Sequence, residues 1–151
     1  MNLIAPLITS DTALLDVSFT SKKKLFEHAA GLFGQTYSIK SADIFTSLFE
    51  RERLGSTALG CGVAIPHGRI KGLKQACGAF YRLQTPLEFD APDNQPVSIC
   101  FVLLVPQDAN EQHLQILGEL AQLFGDESMR AKLHTIATPN DLIALISAWT
   151  S

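Results

Sequence analysis

From Val97 to Val105 the chain reads VSICFVLLV, an apolar run interrupted only by Ser98 and stopped by Pro106. A strand with one wet face alternates apolar and polar residues; a continuous run suits a strand buried on both faces. The run falls far short of the ~20 residues that a membrane helix needs. The chain therefore needs a sheet with packing layers above and below. Cys77–Leu83 (CGAFYRL) reads as a second strand and Leu14–Phe19 as a weaker one. Thr85–Pro96, rich in Pro, Asp and Asn, reads as loop.

Helical periodicity supplies the layers. Thr20 or Ser21 can cap a helix that begins at Lys22–Lys24. It carries Leu25, Ala29, Leu32 and Phe33, with Phe26 and Ala30 alongside, and ends within Gly34–Ser38. Ser41 can cap a second helix with the stripe Ile44, Phe45, Leu48 and Phe49. Asp108 or Asn110 can cap a third through about Phe124, with Leu114, Leu117, Leu120, Ala121 and Phe124 inward. Asp126–Leu133 reads as a short helix. Thr138 caps a last one, with Pro139 at its first position and Leu142, Ile143, Leu145, Ile146 and Trp149 inward. Strands alternating with helices indicate an α/β fold with a mixed sheet. At 151 residues the expectation is one domain, 1–151.

Composition narrows the function classes. Apolar content of 46% is that of a globular chain. A net charge of −3 argues against an electrostatic nucleic-acid binder. The three cysteines, Cys61, Cys77 and Cys100, are odd in number and form no CxxC. They suit buried thiols in a reducing cytosol better than a disulfide framework. The N-terminus has no basic region followed by an apolar run, so no signal peptide is expected. A cytoplasmic protein without membrane insertion is the expectation.

The chemistry concentrates in Arg51–Arg69, RERLGSTALGCGVAIPHGR. Gly55, Gly60 and Gly62 let backbone amides approach an anion, because no Cβ intervenes. Ser56 and Thr57 add hydroxyls, and Arg51, Arg53 and Arg69 add positive charge suited to phosphate oxygens. Pro66 fixes its own φ and biases Ile65 toward an extended shape, so His67 leaves the backbone in a restricted direction. Two readings fit. Either His67 carries a phosphoryl group beside an anion cradle, or it is an ordinary turn residue between a helix and a strand. Read from physics alone, Arg51 is a solvated arginine at a helix C-terminus, where the dipole favours a cation. His113, in the first turn of the third helix, is a hydrogen-bonded residue at the core edge. Glu50 and Glu52 are solvated or pair with the arginines. His28 and His134 carry no motif and read as surface or helix-edge residues.

Other motifs fail on particular residues. Gly55–Gly60 satisfies GxxxxG, but Cys61–Gly62 replaces the Lys and hydroxyl that a P-loop needs. Gly60–Cys61–Gly62 begins GxG, but Ile65 replaces the third glycine of a dinucleotide site. No paired Cys/His spacing marks a zinc site. Cys61 and His67 lack the third group that would orient a thiolate–imidazole pair.

Arg51–Glu52, Gly55–Ser56–Thr57, Gly60–Cys61–Gly62 and Ile65–Pro66–His67–Gly68 resemble the active-site segment of the IIA phosphocarriers of the bacterial phosphotransferase system. The likeness is to the fructose/mannitol family and its nitrogen-regulatory branch. It continues through Pro86–Phe89, Asp90–Ala91, Asp93–Val97, Leu103–Pro106 and His113–Leu114, nearly the whole chain. The resemblance implies a central mixed sheet with helices on both faces. It puts phosphorylation on His67, through Nε2, with Arg51 and His113 as active-site neighbours. Ser56, Thr57 and local amides would then bind phosphate. The implied donor is an HPr-type phosphocarrier protein. The implied partners are regulatory targets, including potassium-transport and sensor proteins. A sugar-specific IIA component that feeds a IIB partner for fructose or mannitol uptake is the alternative. A ligand-binding module with an incidental histidine is a third class. No metal and no other cofactor is expected, since arginine, histidine and amide dipoles supply the positive field. Two residues depart from the family pattern: Cys61 stands where a polar residue, often Asn, is usual, and Arg69 where Lys is common.

Overall fold

A computed structural model describes residues 2–109 and 111–150. Strand β1 is Ala13–Val17, followed by helices α1 (Lys22–Tyr37) and α2 (Ser41–Leu54). Three short strands come next, β2 (Ala58–Gly60), β3 (Val63–Ala64) and β4 (His67–Ile70). The long strands β5 (Cys77–Leu87) and β6 (Val97–Pro106) precede α3 (Glu111–Gly125), α4 (Glu127–Leu133) and α5 (Pro139–Ala148). Ser21, Asp126 and Thr138 cap α1, α4 and α5 with their side chains. Ser41 does not cap α2; Lys40 holds that position and Ser41 is the first helical residue. Asn110 lies outside the described residues.

Among these residues the strands form one six-stranded mixed sheet in the order β1-β5-β6-β3-β2, with β4 also paired to β6. β5 runs antiparallel to β6, whereas β3 and β4 run parallel to it, one after the other. The continuous apolar run is this central strand. Cys100, Val102 and Leu104 point to one side and pack with Leu25, Phe26 and Phe33 of α1 and Ile44 and Leu48 of α2. Ile99, Phe101, Leu103 and Val105 point to the other and meet Ile116, Leu120 and Leu123 of α3, Leu133 of α4, and Leu142 and Ile146 of α5. Helices therefore cover both faces.

Several local expectations need correction. β5 continues through Thr85 and Pro86 to Leu87 rather than giving way to loop at Thr85. Its register against β6 shifts between Arg82 and Leu87. An irregularity of that kind tolerates a proline that donates no ladder bond. In α3 the buried face is His113, Ile116, Leu120, Leu123 and Phe124, while Leu114 and Ala121 face solvent. Burial leaves Cys77 and Cys100 as protonated thiols, the first pushed up to about 12, but Cys61 is exposed.

Arg82 is buried on β5 and joins three elements. Its guanidinium takes both oxygens of Asp16, at 3.1 and 3.0 Å, and donates to the carbonyls of Leu133 and Ile136 where α4 ends. Nearer the glycine-rich segment, α2 rests on β4 at Gly68. A Cβ there would collide with the Ser47 hydroxyl and lie 3.1 Å from its Cβ. Replacing Gly68 by Ala should push α2 outward and cost about 1–3 kcal/mol, the usual range for overpacking. A urea unfolding midpoint equal to that of the unaltered protein would show that α2 does not depend on this contact.

Candidate functional site

β3 and β4 are two pieces of one line of chain alongside β6, separated by Ile65–Pro66. Proline cannot donate to a ladder. The Pro66 carbonyl still accepts from the amide of Leu103 at 2.8 Å, so the strand resumes in register with His67 opposite Leu103. His67 is the first residue of β4 after this break. Its Nδ1 lies 2.9 Å from the carbonyl of Ile65. A carbonyl only accepts, so Nδ1 carries the proton and Nε2 keeps its lone pair. The ring is half-buried. Burial lowers its pKa first, helped by the Arg51 charge and opposed by the Ile65 bond and Glu52. His67 is therefore neutral at pH 7.

The ring opens on a cleft of about 600 Å³ lined by Arg51, Arg53, Arg69, Glu50, Leu54 and His113 among others. The ring also borders a smaller hollow of about 240 Å³ with Arg51, Ser56, Thr57, Leu59 and Leu117. Arg51 borders both. It comes from the last turn of α2, and its NH1 donates to the Gly55 carbonyl at 2.8 Å. His113 approaches from the first turn of α3, its ring centre 5.5 Å from that of His67 at an interplanar angle of 53°. Its pKa is lowered by burial, then by His67 and Arg69. Among the described residues, its buried Nδ1 has no hydrogen-bond partner. Arg69 follows on β4 and donates to the Gln107 carbonyl at 3.2 Å. The structure thus brings His67, Arg51 and His113 together, within a wall that is mainly cationic.

Ser56 and Thr57 line the hollow, but their hydroxyl protons are used internally. Ser56 Oγ donates to the Phe89 carbonyl and accepts from the amide of Ala58. Thr57 Oγ1 donates to Glu52. Glu52 is the residue that sequence reasoning missed. It is neither solvated nor paired with an arginine. It is 7% exposed and accepts from the Thr57 amide and hydroxyl and from Lys22 Nζ at 3.2 Å. The Arg-Glu pair just before Gly-Ser-Thr was the available signal.

The Cys61 position also has a physical reading. Cys61 and Gly62 form the two-residue turn between β2 and β3, with φ of +57° and +78°. Positive φ at both central positions is what a type I′ hairpin requires, and Asn-Gly is its preferred pair. The Asn usual here thus matches a backbone preference, and cysteine adopts the same conformation at some strain. The Cys61 amide is still satisfied, donating to Asp93 at 2.8 Å. Among the described residues no cluster of three His, Cys, Asp or Glu could hold a metal ion, and no helix is long and apolar enough to cross a membrane.

The chain as a whole has counterparts among known proteins. The crystal structure of nitrogen regulatory protein IIA-Ntr from Neisseria meningitidis superposes with a TM-score of 0.91 at 47% identity, covering 96% of this chain and 99% of that one. IIA mannitol from Escherichia coli shares the fold, with a TM-score of 0.78 at 18% identity over 92% and 98% of the two chains. A nitrogen regulatory protein of Pseudomonas aeruginosa is 36% identical over 141 residues, 93% of this chain and 92% of its own length. The fold is thus that of the phosphotransferase-system IIA proteins. The profile of the phosphoenolpyruvate-dependent sugar phosphotransferase system EIIA 2 family matches residues 6–149, and the chain belongs to that family. Membership carries a phosphotransfer carrier role.

His67 and His113 set a pH dependence, to which the exposed His28 and His134 add little. His28, His67, His113 and His134 all have pKa values lowered from about 6.5, in each case chiefly by burial. His28 also keeps Nδ1 against the buried Tyr81 hydroxyl at 2.8 Å. Each binds its proton less readily folded than unfolded, so stability is greatest above 6.5 and is lost as pH falls through the folded values. Asp93, lowered by amide bonds from Cys61 and Gln95, adds to this pH dependence only below its ordinary 3.8, where its stabilising effect is lost. The urea midpoint should decline between pH 7 and pH 5. A profile flat across that window would contradict the neutral assignment of His67 and His113.

Proposed function

We propose that this chain is a regulatory phosphocarrier that accepts a phosphoryl group on Nε2 of His67 from an HPr-type phosphohistidine protein. The observation that carries this reading is the Nδ1–H bond to Ile65, which leaves Nε2 as the nucleophile of a ring facing the arginine-lined cleft. The donor ring, protonated on its other nitrogen, leaves as neutral imidazole. One P–N bond breaks as the other forms, and His67 retains its Nδ1 proton throughout. Such a transfer needs in-line placement and neutralised oxygens rather than covalent help. Arg51 faces the equatorial oxygens, and His113 donates to or positions the phosphate. Ser56 and Thr57 join through their hydroxyls only by exchanging present partners; otherwise they shape the wall.

An apolar rim supports docking of a protein donor. Leu54 at the cleft is 86% exposed and Leu59 at the hollow 49%. Phosphate on His67 adds about −1.5 to −2 charge at this rim, enough to change which proteins dock. The regulatory rather than sugar-transport assignment follows the names of the nitrogen regulatory relatives, which match 84–96% of the chain at 36–47% identity. Potassium-transport or sensor proteins are the targets to examine first.

Incubation with phosphoenolpyruvate and the general phosphotransferase proteins should add one acid-labile phosphate to His67, read by intact mass. Its absence would overturn the proposal. Arg51→Ala should slow the transfer roughly 100-fold, in line with loss of one preorganised electrostatic donor, and keep the fold; an unchanged rate removes Arg51 from the mechanism. The phosphorylated protein should fail to pass phosphate to purified fructose or mannitol IIB proteins. Efficient transfer there would instead favour the sugar-specific alternative.

A further inference from the structure

Glu52 has no place in the transfer as described, yet a buried carboxylate needs a reason. Removing such a charge from water is costly unless it is paired and fully hydrogen-bonded. Here it has three kinds of donor: the Lys22 ammonium at 3.2 Å, the Thr57 amide at 3.2 and 3.3 Å, and the Thr57 hydroxyl. Thr57 is in turn connected onward. Its carbonyl accepts from the amide of Ile65 at 3.0 Å. The carbonyl of Ile65 accepts from His67 Nδ1 at 2.9 Å. An unbroken series of hydrogen bonds therefore runs from Glu52 through Thr57 and Ile65 to the imidazole. On the other side of the same turn, Arg51 holds the Gly55 carbonyl. Two consecutive residues at the end of α2 thus grip the 55–57 turn, one by charge on each side.

We infer that Glu52 is a positioning residue for His67: by fixing Thr57 and so Ile65, it holds the imidazole as the Nδ1–H tautomer with Nε2 available. The tautomer part stands on the hydrogen-bond series alone; its consequence for rate rests on the proposed phosphorylation of His67. In a histidine that bonds through one nitrogen, the partner at that nitrogen decides where the proton sits. If the Ile65 carbonyl shifts, the ring can place its proton on Nε2, which then has no lone pair to attack with.

The test is two-bond ¹H–¹⁵N correlation spectroscopy of the ¹⁵N-labelled protein, which reports the protonated ring nitrogen of His67, paired with the rate of phosphoryl acceptance. The unaltered protein should show Nδ1–H. Glu52→Gln should give a mixture with the Nε2–H form and slow acceptance roughly 10- to 100-fold, the scale of a small misplacement. Thr57→Val, which leaves the carboxylate in place, should move the tautomer in the same direction, and Thr57→Ser should restore it. A loss of stability alone would not shift the tautomer of the folded molecules. An Nε2–H signal in the unaltered protein would overturn the inference, as would a pure Nδ1–H signal in a folded Glu52→Gln or Thr57→Val protein. If the unaltered protein takes up no phosphate, the proposed function fails separately, and the tautomer spectra still decide the role of Glu52.

Discussion

The hydrogen bond from Nδ1 of His67 to the carbonyl of Ile65 decides what the ring can do, and the fold is arranged so that this bond is short and fixed. A residue two positions upstream can face an imidazole in this way only where the backbone turns out of a strand. Pro66 makes that turn, since it fixes φ and offers no amide to a ladder. The strand is not lost there, because β6 holds both flanks: Ala64 pairs with Cys100 before the break and His67 with Leu103 after it. The rigidity of β6 comes from burial on both faces. The apolar run at the centre of the molecule therefore sets the direction of one polar ring at its surface.

Electrostatics at the site involve opposed terms. Arg51 lowers the pKa of His67 and Glu52 raises it, while burial lowers it more than either shifts it. The outcome is an uncharged imidazole inside a cationic wall. In the proposed transfer, a positive wall around a neutral ring would attract a dianionic phosphoryl group without repelling the attacking atom. The N-terminal turn of α3, with the positive end of its dipole, adds to that field at His113. Arg51 sits at the C-terminal end of α2, where the dipole has the opposite sign and favours its charge.

Much of this was legible from local pattern, and the failures have identifiable causes. The strand at Val97 and the helices α1, α4 and α5 follow from apolar runs, spacing and caps. β2, β3 and β4 do not, because two- to four-residue strands among glycines have little pattern of their own and exist by pairing with β6 and one another. α3 carries apolar residues on most sides, so two stripes compete; the one containing Leu114 looks better because it excludes a histidine. The fold prefers the stripe that buries His113 and faces it toward His67. Burial of Glu52 depends on Lys22, thirty positions away on another helix, which no local window connects to it. The grouping of His67, Arg51 and His113 came from a resemblance, since each has an ordinary local explanation.

Ser56 and Thr57 bear on the same balance. Both have the chemistry of phosphate-binding residues, and both use it on the protein itself, against Phe89 and Glu52. In the proposed carrier, hydroxyls that donate inward would leave the phosphate to the charged groups. That arrangement suits a reversible carrier: a site that held the phosphorylated state with every available donor would keep it too tightly to pass it on. A buried carboxylate that makes His67 slightly more basic, and is itself negative, works in the same direction. In the proposed transfer it would support the nucleophile beforehand and oppose the added negative charge afterwards. Glu52 and Arg51, adjacent in sequence and opposite in sign, would then set between them how strongly this site keeps a phosphoryl group.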